Sequence, residues 1–135
     1  MMSGKLQSQD EDSADCWTDL IVSILSVNNF SVERAYALVD GLRNNGLIDP
    51  SMLVGLDSEE VLRRLKLAGF DRGEYMNKLF AFRLAGLGVF IGKNGIEAAT
   101  EMISNKDRQT IEKTLGGLYG VGPTVIRSFF VLRGI

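Results

Sequence analysis

The chain has 135 residues, about one domain's worth, with 45% hydrophobic residues, 24% charged residues and a formal charge of −2. One cysteine, Cys16, and no histidine exclude a disulfide framework and histidine-based triad chemistry. They also leave zinc and iron–sulfur sites almost without ligands.

Residues 1–14 read as a flexible acidic arm ahead of a folded domain over 15–135. MMSGKLQSQDEDSAD lacks the charged-then-apolar order of a signal peptide. No apolar run reaches the ~18 residues of a membrane span. With the lone cysteine, this suits a cytoplasmic protein that has no membrane partner. Residues 1–20 carry one base and five acids, and the rest of the chain fourteen bases and twelve acids. The folded part is therefore slightly basic, which an ordinary solvated surface also explains.

Trp17, Leu20, Ile21, Ile24 and Leu25 recur at helical steps and predict a helix over 15–27. Ser31 caps a second helix over 32–44, with Ala35, Leu38, Val39 and Leu42 on one face. Asp49-Pro50 opens a short helix over 50–54. Asp57 with Glu60, and Asp71 with Glu74, are acidic capping boxes for helices over 58–67 and 72–88. GKNG reads as a turn before helices over 94–104 and 107–116, and a last helix follows over 123–133. Eight helices and no alternating strand pattern predict an all-α multi-helix bundle.

The stretch LYGVGPTVIRSFF, Leu118 to Phe130, sets two glycines and a proline between two helices. Gly116-Gly117 ends the first helix, Leu118 anchors the turn, and Gly120 and Gly122 permit positive φ and bare backbone. Pro123 then sits in the first turn of the last helix, where its missing N–H costs nothing. Free N–H groups at a helix start beside glycines suit an anion, phosphate above all. An ordinary glycine-capped turn fits the same residues, and the turn alone leaves both readings open.

L-x-G-V-G-P resembles the hairpin of the helix-hairpin-helix motif, which binds DNA backbone without regard to sequence. CWTDLIVSILSVNNFSVERA and LKLAGFDRGEYMNKLFAF resemble the first helix pair and central helix of the endonuclease III-like DNA glycosylases. The Ser-x-Asn-Asn form is similar to that of 8-oxoguanine glycosylases. The resemblance spans about residues 15–133 and implies the six-helix glycosylase domain ending in that motif. It implies DNA-binding positions at Gly120, Val121, Gly122, Pro123, Thr124, Val125 and Arg127. Main-chain N–H groups of Gly120, Gly122 and Val125 would hold a phosphate. Carbonyls of Gly116, Leu118 and Val121 would hold a monovalent cation, K+ or Na+, and no other cofactor is expected. Asn28, with Asn29 as a second candidate, would approach the gap left by a flipped-out nucleotide; an asparagine that merely caps the first helix fits as well.

The departures bear on catalysis. Thr124 stands where bifunctional family members carry a nucleophilic lysine, and a hydroxyl cannot form the Schiff base of an amine. This argues against lyase activity. The chain ends at Ile135, before the aspartate that supports the sugar cation in the family would occur. Three expectations remain: a DNA-binding module without catalysis, a minimal glycosylase (an N-glycosyl hydrolase) using an unrecognised acid or a partner's residue, or a fragment of a longer protein. The expected role is duplex DNA binding in base-excision repair or damage recognition. The alternative is a helical protein-interaction or oligomerisation scaffold.

Lys93, Arg108, Lys113 and Arg127 are candidate DNA contacts through their nearness to the hairpin in sequence. Arg63-Arg64 with Lys66 reads as a solvated helix face, and Tyr36, Tyr75, Phe80 and Phe82 read as core. Phe129, Phe130, Val131, Leu132 and Ile135 make the last helix unusually apolar. Its surplus face is expected to pack internally or against a second subunit, with a homodimer or partner domain favoured.

Overall fold

The computed structural model describes residues 16–26 and 31–135, and among them there are helices and turns but no strand. In chain order they are α1 (Cys16–Leu25), α2 (Val32–Ala37), α3 (Val39–Asn44), α4 (Pro50–Leu53), α5 (Ser58–Leu67), α6 (Glu74–Asn94), α7 (Ile96–Ser104), α8 (Arg108–Gly116) and α9 (Pro123–Arg133). The chain is all-α, as its periodicity predicts.

Side-chain caps account for several of the starts. The Ser31 hydroxyl accepts the Arg34 N–H at 3.1 Å. The Asp57 carboxylate accepts the Glu60 N–H at 2.9 Å. Asp49 accepts the Ser51 N–H at 2.9 Å, with Pro50 in the first turn.

Three boundaries differ from the sequence expectation. The helix expected over 32–44 is two, broken at Leu38 (φ −93°, ψ −5°), whose N–H bonds the Ala35 carbonyl. No glycine or proline marks that break. The expected capping box of Asp71 and Glu74 is replaced by another device. Gly73 precedes α6 at φ +92°, and the Asp71 carboxylate accepts from the Gly73 N–H at 3.1 Å and the buried Asn77 amide at 3.0 Å. These bonds, the Asn77 one first, hold the Asp71 carboxyl below its ordinary pKa. Their stabilisation is present above the unfolded-state pKa and is lost as pH falls through the folded one. Finally, α6 runs on through Gly92-Lys93-Asn94 instead of ending near Gly88. Only Gly95, at φ +90°, breaks it, and α7 leaves at 113° to α6.

The core is built around α1. Cys16, Trp17, Leu20, Ile21, Val22, Ile24 and Leu25 are all buried, so this helix is covered on every side rather than along one stripe. Its polar groups find partners. The Trp17 indole donates to the Thr100 hydroxyl at 3.0 Å, and Ser23 Oγ donates to the Asp19 carbonyl at 2.7 Å. Asp19 itself, 7% exposed, accepts from the Tyr36 hydroxyl and pairs with Arg133 at 3.3 Å. One carboxylate thereby ties α1 to α2 and α9.

Long α6 buries Phe80, Leu84, Leu87 and Ile91 at three- and four-residue steps. Phe70 meets Phe80 edge-on, with ring centroids 5.5 Å apart. At Gly88, α6 passes so close to α4 that a Cβ would lie 2.8 Å from the Leu53 carbonyl oxygen. A backbone oxygen cannot swing aside as a side chain can. Gly88→Ala is therefore expected to destabilise the chain by about 1–3 kcal/mol, read as a lower urea midpoint with an unchanged slope.

Two expectations about side chains are corrected. Of the four aromatics read as core, only Phe80 is buried; Tyr36, Tyr75 and Phe82 are 39%, 77% and 54% exposed. Phe82 lies two positions after Phe80, which turns it away from the core side of α6. Arg64 is half-buried rather than fully solvated, and its guanidinium donates to the Asn45 carbonyl at 3.0 Å. In the apolar last helix, Phe129 and Phe130 are buried. Ile126, Leu132 and Ile135 lie against the core, and Val131 is exposed. Among the described residues no single helix is long and apolar enough to cross a membrane.

Candidate nucleic-acid interface

Between α8 and α9 the chain turns in six residues, Gly117 to Gly122. The Leu118 N–H donates to the Leu115 carbonyl at 3.0 Å and the Val121 N–H to the Leu118 carbonyl at 3.2 Å. Val121 and Val125 are 8% and 3% exposed, and their buried side chains pin the turn to the core. The turn is thus held from inside.

The two hairpin glycines do different work. Gly120 has φ +76°, the left-handed region that favours glycine. A Cβ there would also meet the Arg83 side chain, at 2.4 Å from Cγ. Gly122, which would permit a positive φ as well, does not use one. Its φ of −102° and ψ of −174° are extended, the conformation a residue before proline prefers. Nothing lies within 4 Å of a Cβ built on it. Neither backbone conformation nor internal packing asks for glycine at 122.

Among the described residues, the N–H groups of Gly120, Gly122, Thr124 and Val125 bond no carbonyl of the fold. The last three lead into the first turn of α9, where the helix dipole favours an anion. Pro123, Thr124 and Arg127 are exposed around them. For a cation, the Leu118 carbonyl already accepts the Val121 N–H, leaving one lone pair, whereas the Gly116 and Val121 carbonyls accept no such bond. No group of three or more metal-binding side chains occurs among the described residues. Asn28 and Asn29 lie outside the described residues.

The four basic candidates separate. Arg108 is taken up by the fold: it lies 5.0 Å from the Phe130 ring centroid and donates to the Ile135 carbonyl at 2.9 Å. Arg127 shares a groove of about 380 Å³ with Arg108, Pro123 and the acid Glu112. Lys113 is exposed on α8. Lys93 lines a second groove, of about 380 Å³, with Gly86, Val89, Thr114, Gly117 and Tyr119, and no acid lines it.

Arg83 and Tyr119 were absent from the sequence-based candidates. Arg83 comes from α6, its stem against Gly120 and its guanidinium 5.1 Å from the Phe80 ring centroid. Among the described residues it makes no ion pair, and its buried Nε has no hydrogen-bond acceptor. A charge signal runs beneath this meeting of α6 and the hairpin. From Tyr75 to Ile96 there are three bases and no acidic side chain, and the same holds from Lys113 to Ile135. In a chain of net charge −2 these two segments, distant in sequence, meet at Arg83 and Gly120.

Comparison of the chain with known protein-family models, curated proteins and solved structures gave no match.

Proposed function

We propose that this chain is a DNA-binding domain of the helix-hairpin-helix, glycosylase-like type, which grips duplex DNA by its backbone phosphates. The observation that carries the reading is Gly122. The fold does not need a glycine there, and a bare backbone beside unbonded N–H groups is what close approach of a phosphate needs. The N–H groups of Gly120, Gly122 and Val125 hold the phosphate oxygens, aided by the start of α9. Arg127, one turn further along α9, supplies charge. Carbonyls of Gly116, Leu118 and Val121 take a monovalent cation that braces the turn against the phosphate. The phosphate and cation ligands are main-chain groups and Arg127 acts through charge alone, so binding is expected to be independent of base sequence.

The site fits recognition of DNA in base-excision repair, and it offers no amine for a lyase step at Thr124. A salt series on the purified chain, with an intact duplex and a duplex carrying an abasic analogue, tests the reading. For each phosphate neutralised, a doubling of salt weakens binding roughly twofold. Binding to the intact duplex with that dependence is expected, and tighter binding to the abasic duplex extends the reading to damage recognition. Absence of binding at low salt, or binding indifferent to salt, overturns it and leaves an interaction scaffold.

A further inference from the structure

The outer face of α6 beside the hairpin has no role in the phosphate grip. Phe82, Gly86, Val89 and Lys93 follow one another along it at three- and four-residue steps. Phe82 and Val89 are 54% and 69% exposed. Tyr119, from the hairpin tip and 59% exposed, leans on this face. Its Cβ lies 3.9 Å from a Cβ built on Gly86, and its ring meets Phe82 at 5.0 Å between centroids and 76° between planes. Two large aromatic rings are thus held in contact yet both left in water, where burial of either would be favourable.

The charge around them selects the occupant. Neither α6 beyond Glu74 nor the chain from Lys113 onward contains an acidic side chain. Arg83 stands next to Phe82 in sequence, without an ion pair among the described residues, and Lys93 closes the groove that Tyr119 lines. A hydrophobic protein partner would need no such charge. A nucleotide strand needs both parts: aromatic faces for its bases and cations for its phosphates.

We propose that Phe82 and Tyr119 form a stacking platform for an unpaired base, with Arg83 and Lys93 meeting the adjacent phosphates. This rests on the reading of the hairpin as a phosphate grip and names its substrate class. The preferred ligand is DNA in which a single-stranded gap or end adjoins a duplex. The hairpin holds the duplex backbone, and the α6 face takes the base that has lost its partner.

The test compares the full chain on an intact duplex and on the same duplex with a short gap carrying a fluorescent purine analogue. Stacking on one aromatic platform is expected to favour the gapped duplex roughly tenfold and to quench the analogue. Phe82→Ala with Tyr119→Ala removes the preference and the quenching but leaves intact-duplex binding and the far-UV spectrum in place. Phe82→Tyr and Tyr119→Phe retain both. Equal binding of the two duplexes, or a preference that survives both alanines, overturns the platform and leaves the hairpin reading standing. Gapped binding that is lost with the alanines but indifferent to Gly122→Val overturns the hairpin reading instead. A wild-type dimer that the alanines dissociate makes the face a contact between two copies and also overturns the proposal.

Discussion

Gly122→Val is expected to abolish phosphate binding while leaving the melting temperature nearly unchanged. The extended backbone at 122, before Pro123, is one that β-branched residues adopt readily, and no atom stands within 4 Å of the new Cβ. The valine would fill the space over the unbonded N–H groups. Each hydrogen bond to a charged oxygen contributes about 1.5–3 kcal/mol, so losing two weakens binding roughly a hundredfold or more. The neighbouring glycine supplies the contrast. Gly120→Ala meets both a φ of +76° and the Arg83 stem, and is expected to destabilise the fold by about 1–3 kcal/mol. Paired thermal unfolding and binding titrations separate the two. If Gly122→Val binds duplex DNA like the wild type, the bare backbone at 122 has no part in a ligand site.

The largest effect on stability is expected at Asp19. Its side chain and that of Arg133 are 10% and 11% exposed, and they meet at 3.3 Å. Asp19→Ala takes away the carboxylate that stands 3.3 Å from the mostly desolvated Arg133 guanidinium. It also removes an acceptor of the Tyr36 hydroxyl. Truncating one partner of a buried pair costs about 3–5 kcal/mol, a large part of the stability of a domain this size. Denaturant unfolding measures it. A shift below about 1 kcal/mol would place the pair among surface ion pairs, whose contribution is small. Asp19→Asn, which keeps an acceptor for Tyr36, is expected to fall between the two.

Several elements were legible because their cause is local. Ser31, Asp49 and Asp57 each accept an N–H two or three residues ahead, so the caps can be read from spacing alone. The acidic cap at Asp57 and the proline at 123 place α5 and α9 where the structure has them. The hairpin's position was also evident, since glycine and proline punctuate the chain through their own backbone preferences.

What those glycines are for was not evident. Gly120 and Gly122 look alike in sequence. Only the fold gives one a positive φ against Arg83 and the other an extended backbone with open space. The end of α6 was misplaced for a similar reason: Ile91 is buried in the core, and the helix carries on through Gly92 despite that residue's weak propensity. Arg83 and Phe82 reach the hairpin across more than thirty residues of chain, a distance at which periodicity carries no information. The acid-free runs around them hinted at a shared face, but charge along a chain says nothing about which runs meet. The all-helical class, the caps and the place of the turn can be read along the chain, because they follow from residues a few positions apart. It took the packed fold to show that α1 is sheathed on all sides, that Asp19 reaches Arg133, and that Arg83 and two exposed rings stand beside the turn. Those depend on which helix faces pack together, and packing is settled by the whole core at once.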